Sequence, residues 1–220
     1  MRFPVCPVKQ IIKHAYFLPY GSSPEFEDTE LLPTADDFSR IEDLTNPFHF
    51  GSMSFPRFEV TANGMVFLRK AGDASSQRNP VLGVFAGDVN NLLLGNIYFR
   101  KSEQGTDATT CAQAEQAILE ATPEFIGQSL LTIVVVTWED VPENKCFAIP
   151  TCEAGIGYLE PTESRELFAP FNPSSSHILW RVTDGDVPND LLSNSNYGVP
   201  GSYLFEVSNT IREIGKGMAV

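Results

Sequence analysis

The chain has 220 residues, 42% hydrophobic and 20% charged, an ordinary globular balance that can bury a core without a metal or dense disulfide support. Its formal charge of −13 repels phosphate backbones and argues against nucleic acid as a partner. No run of about 20 apolar residues is present to form a membrane span, and 16 phenylalanines with 16 glycines and 16 prolines favour sheet and frequent turns.

At the N-terminus, Pro4, Pro7, Lys9, Lys13 and His14 interrupt any apolar run, so no signal peptide is visible in this chain. Between Glu25 and Asp43 lie eight acids with Arg40 as the sole base, which reads as a solvated acidic stretch. Residues 1–45 are therefore expected to form an acidic arm joining a main domain over 46–207, with 208–220 as a C-terminal tail. The absence of any Asn-x-Ser/Thr acceptor counts mildly against a surface-exposed life.

From Phe48 to Phe55, apolar residues alternate with small or polar ones, as in a half-buried strand. Asn63-Gly64 then separates two apolar segments, Phe58–Thr61 and Met65–Leu68, and predicts a hairpin with a type I′ turn. Pro80 leads into an apolar strand over Val81–Phe85, and Ile97–Arg100 is expected to pair back on it. Thr110 and Gln113 form a capping-box pattern that opens one helix over about 110–121. Cys111, Ala114, Ile118 and Ala121 share a face of that helix, and Pro123 ends it.

Leu130–Val136 is almost continuously apolar and β-branched, which predicts a central strand covered on both faces. Further strands are expected at Cys146–Ile149, Ile178–Val182 and Tyr203–Val207. The predicted class is mainly β, with sandwich-like antiparallel sheets and one packed helix, and α+β as the alternative.

Little in the sequence carries reaction chemistry. Gly155-x-Gly157 lacks the rest of a dinucleotide fingerprint, and no phosphate loop, zinc-protease helix or nucleophile elbow occurs. No cofactor, metal ligand set or catalytic residue is assigned. Asp88 and Asn90 place two oxygen side chains at a strand end, where they would form a ligand rim or simply a turn. Glu139-Asp140 beside Trp138 suggests a carboxylate next to an aromatic platform for sugar, and a strand ending at the surface explains the pattern as well. Four cysteines allow three pairings; Cys146 with Cys152 would staple a short loop, and Cys6 with Cys111 would tie the N-terminal region to the helix. Free thiols in a reducing compartment remain the alternative.

The ordered series of segments between Phe48 and Trp138 resembles the NIDO domain, the extracellular module named after nidogen. The likeness covers roughly Tyr16 to Val207. It rests on Asp36-Asp37, the Asn63-Gly64 hairpin, Pro80 through Asp88, Gly95-Asn96-Ile97-Tyr98, Thr137-Trp138 with Val141, and Gly198-Val199-Pro200-Gly201 before Phe205. The chain departs from that pattern where the family usually has Trp at Ala86 and an acid at Asn90, and the region around Phe147 looks shortened or replaced. The resemblance implies a secreted, non-catalytic module for cell–matrix adhesion or matrix assembly. Its partner would be a matrix or cell-surface protein or a glycan; a lectin-like, calcium-assisted glycan binder is the alternative.

Overall fold

Apolar residues at every second position drive two antiparallel sheets to stack face to face in the computed structural model. It describes residues 20–21, 28–33, 39–72, 79–86, 95–103, 105, 107–121, 131–139, 153–158, 171–181, 205–207 and 211–213. The larger sheet has six strands in the order β2 (Ser39–Phe50), β3 (Met53–Thr61), β4 (Met65–Arg69), β5 (Val81–Ala86), β8 (Glu153–Gly157) and β9 (His177–Arg181). The smaller sheet orders β1 (Thr29–Leu31), β6 (Asn96–Glu103) and β7 (Thr132–Glu139). A third, two-stranded sheet pairs β10 (Phe205–Val207) with β11 (Ile211–Glu213). The fold is mainly β and sandwich-like, with one described helix, α1 (Ala108–Ala121).

The core between the layers follows from strand alternation. Leu31, Ile97 and Phe99 point inward from the small sheet, and Leu44, Phe58, Val60 and Ala62 meet them from the large one. Val134, Val136 and Trp138 of β7 pack on the same cluster. Phe58 and Phe99 cross the gap edge to face, their ring centroids 6.3 Å apart. Truncating either buried ring to alanine would cost about 3–5 kcal/mol.

The large sheet is covered on its other face as well. Met65, Phe67 and Val81 bury against Phe171 and Ile178 there, beside the buried ion pair of Glu59 and Arg69. A third apolar cluster joins Phe50, Phe55, Leu68 and Ile156, with Ile211 of β11 packed on it. A strand therefore forms inside the stretch read as a C-terminal tail. Likewise, β1 and the first half of β2 fall within the stretch read as a solvated acidic arm.

Two prolines shape β2 and β3. The β2–β3 register shifts between Asp43 and Phe48, a bulge that contains Pro47. Pro56 of the interior strand β3 sits opposite this break, where its missing N–H costs no ladder bond. Side chains from the other layer then reach the bulged edge. Lys101 Nζ donates to the Asp43 carbonyl at 2.7 Å, and the Thr45 N–H donates to Glu103 Oε1 at 3.1 Å.

Several local expectations are corrected. The β3–β4 connection is a three-residue loop, Ala62-Asn63-Gly64, instead of a two-residue type I′ turn. Gly64 takes φ +74°, and Thr61 Oγ1 bridges the neck by accepting from the Met65 N–H and donating to the Met65 carbonyl. Ala62 and Asn63 are buried at the tip. Strand β6 does not pair back on β5, because the outer edge of β5 is taken by β8; β6 lies in the other layer between β1 and β7. Among the described residues, the valine-rich β7 ends the small sheet and does not sit at its centre. Its continuous apolar run has a different cause: one face meets the interlayer core, and α1 touches β6 and β7.

Helix α1 begins earlier than its capping-box signature suggests. Asp107 is the N-cap, its Oδ1 accepting from the Thr110 N–H at 3.0 Å. Its other oxygen accepts from Ser102 Oγ at 2.7 Å, which fixes the helix start to β6. Partial burial pushes this carboxyl up. Bonds from the Thr110 side chain and amide and from Ser102, with the Arg100 charge, outweigh burial and hold it below the ordinary aspartate value.

Strand β8 was hidden by its two glycines, whose reason is close packing. A Cβ on Gly155 would lie 2.6 Å from the His177 carbonyl oxygen, and one on Gly157 would overlap Ser176. Ser176 Oγ in turn accepts from the Tyr158 N–H at 2.8 Å and donates to the Tyr158 carbonyl at 2.7 Å.

Candidate functional site

Alternation along β6 sends Ile97 and Phe99 into the core, so Asn96, Tyr98, Arg100 and Ser102 lie on the outer face of the small sheet. Glu139 joins them there, since it stands directly opposite Asn96 in the β6–β7 ladder. Tyr20 and Asp28, both ahead of β1 in the chain, lie against this face. Tyr20 stacks obliquely on Tyr98 with ring centroids 6.3 Å apart, and its hydroxyl donates to Glu139 Oε1 at 3.3 Å. Asn96 Nδ2 donates to the second oxygen, Oε2, at 3.4 Å.

Asp28 holds Gly21, the residue after Tyr20. Its Oδ2 accepts from the Gly21 N–H at 2.7 Å, and Oδ1 accepts from Arg100 Nη1 at 2.6 Å. The ion pair is almost wholly enclosed, with side-chain exposures of 6% for Arg100 and 1% for Asp28. Removing one member would strand the other charge in a low-dielectric setting. Its chief work is to hold Tyr20 against the sheet, next to Glu139.

The result is a carboxylate held between a phenol and a primary amide, with a second phenol beneath. Such a set both donates and accepts hydrogen bonds at fixed positions, the requirement for gripping hydroxyl-rich or peptide ligands. Among the described residues, no group of three or more His, Cys, Asp or Glu side chains converges as a metal site. No helix among them is long and apolar enough to cross a membrane.

Of the residues singled out from sequence, Glu139 lies in this cluster, but Trp138 does not accompany it. The indole turns to the opposite face and packs in the interlayer core, so the aromatic neighbour of Glu139 is Tyr20. Tyr20, Asp28 and Arg100 carried no recognisable spacing, because they meet only once Tyr20 and Asp28 lie against β6. The one available signal was the two-residue period of Asn96, Tyr98, Arg100 and Ser102. Asp88 and Asn90, the expected ligand rim, lie outside the described residues, as do Cys6, Cys146, Cys152, the Cys146–Ile149 segment and Asp140. Cys111 is a buried free thiol on α1. Burial pushes its pKa up, and the charges of Asp107 and Glu115 push it further.

Fold and cluster together define a two-layer antiparallel β domain with an ordered polar-aromatic outer face. No family model, no curated protein and no solved structure matches the chain.

Proposed function

We propose that this domain is a non-catalytic extracellular adhesion module of the kind its nidogen-type resemblance implies. It presents a rigid β scaffold to a matrix or cell-surface partner, protein or glycan. The observation that supports this reading is the Tyr20–Glu139–Asn96 cluster on the outer face of the small sheet. Buried anchoring through Asp28 and Arg100 pre-organises it, which lowers the ordering cost of binding. Recognition, not turnover, is the natural use of a carboxylate whose two oxygens are each already held by a neutral donor.

The test is binding of the purified domain to a glycan array and to purified matrix proteins, with and without calcium. Glu139→Gln and Tyr20→Phe should each weaken the interaction by roughly tenfold, the loss expected for one hydrogen bond to a charged group. Retention on glycans only when calcium is present selects the lectin-like form of the proposal. Binding that ignores both substitutions removes this face from the function. Recovery of all four cysteines as free thiols from the native source would remove the extracellular assignment.

A further inference from the structure

Strand β2 forms one margin of the six-stranded sheet, with β3 on its inner side. The bonds from Lys101 to the Asp43 carbonyl and from the Thr45 N–H to Glu103 reveal its backbone orientation. Main-chain groups at positions 43 and 45 face away from β3. With a two-residue period, those of Ser39 and Ile41 face the same way. Among the described residues, no other strand pairs with this margin.

The side chains there are unusual for an open edge. Ile41 is apolar and β-branched, yet 48% exposed. Its neighbours Arg40 and Glu42 stand opposite Val60 and Phe58 on one face, while Ile41 stands opposite Glu59 on the other. Arg40 Nε binds Glu42 Oε1 at 2.8 Å, with side-chain exposures of 57% and 31%. A base and an acid thus flank an exposed isoleucine symmetrically.

The geometry points to a second copy of this chain as the occupant: Ser39–Asp43 of two molecules pair antiparallel about a two-fold axis at Ile41. In that register Ile41 faces Ile41, and each Arg40 faces the Glu42 of the other copy. Because the Ile41 main-chain groups point outward, this central pair exchanges both N–H···O bonds. Slipping by one residue would present the inward-facing groups of Arg40 or Glu42 instead. Slipping by two places Arg40 against Arg40, or Glu42 against Glu42, so charge selects the single register. Lys101 already donates to the Asp43 carbonyl at the end of this ribbon, and the Glu103 bond to Thr45 lies just beyond it, which keeps the shared ribbon short and the dimer concentration-dependent. The contact is independent of the outer-face cluster on the small sheet.

Sedimentation equilibrium over a concentration series tests this directly. Wild type should show a monomer–dimer equilibrium. Arg40→Glu and Glu42→Arg should each weaken it roughly tenfold or more, since both cross pairs become like-charged. Mixing these two variants should restore association, because every cross pair is again opposite in sign. Arg40 and Ile41 are exposed and Glu42 is partly so, and circular dichroism checks that each variant folds. On mild oxidation Ile41→Cys should give a covalent dimer linked through position 41, whose Cα spacing of about 5.5 Å suits a disulfide. Arg40→Cys should not cross-link to itself. A wild type that stays monomeric at its solubility limit overturns the proposal. So does self-association unchanged in both charge variants, or a mixture that fails to dimerise.

Discussion

The indole nitrogen of Trp138 donates to the carbonyl oxygen of Thr61 at 3.2 Å, joining residues 77 positions apart. The bond runs from β7 in one layer to the neck of the β3–β4 hairpin in the other, so it pins the two sheets at one end. Thr61 is buried, and its carbonyl would have little access to water without this partner. Trp138→Phe keeps an aromatic ring but deletes the donor, and should lower stability by about 1–3 kcal/mol. Urea denaturation gives the answer; a variant as stable as wild type would show that the bond holds nothing together.

Asp107 links stability to pH. Although burial alone would raise its pKa, the bonds from Thr110 and Ser102 and the Arg100 charge leave the folded carboxyl below its ordinary value. Its contribution is therefore present above the unfolded pKa and fades as pH falls through the folded one. Asp107→Ala should cost about 1 kcal/mol at neutral pH through loss of the cap. Asp107→Asn keeps an oxygen for the Thr110 N–H but cannot titrate. The stability gap between wild type and Asp107→Asn should consequently shrink in acid, as followed by thermal melts across pH 7 to 3.

Gly157 has φ +148° and no room for a side chain beside Ser176. Gly157→Ala should destabilise by about 1–3 kcal/mol through backbone strain and displacement of β9. The denaturation midpoint should fall while the m-value stays unchanged. Gly72, also at positive φ, has nothing within 4 Å and serves as a control for conformational strain alone.

Glu59 and Arg69 form an ion pair whose side chains are only 9% and 7% exposed. Glu59→Gln should be strongly destabilising, by about 3–5 kcal/mol, because the guanidinium stays buried without its counter-charge. Replacing both partners together, as Glu59→Leu with Arg69→Met, should recover most of that loss. A double-mutant cycle measured by denaturation distinguishes these outcomes; a double variant no better than Glu59→Gln would contradict them.

Hairpin, helix and most strands were readable from neighbouring residues, although the stretch from Phe48 to Phe55 turns at Gly51-Ser52 between β2 and β3 instead of forming one strand. Asn63-Gly64 marks the β3–β4 connection because a left-handed backbone there favours glycine, although the loop proved one residue longer. The valine-rich segment is a strand, as its β-branched composition implies. Strand β8 escaped notice since Gly155 and Gly157 lack the side chains from which periodicity is read, and β11 is too short to show one. The helix start was misplaced by the Thr110–Gln113 pattern, which resembles a capping box while Asp107 makes the actual cap.

Local chemistry thus specified the parts: alternation set which residues of β6 share a face, and turn residues set where strands reverse. Nothing in that short-range information says which strands become neighbours. The placement of β6 beside β7, the opposite orientations of Trp138 and Glu139, and the meeting of Tyr20 with Glu139 depend on long-range pairing. That pairing is settled by which edges are already occupied and which faces must bury their apolar side chains, quantities that exist only once the two layers have come together.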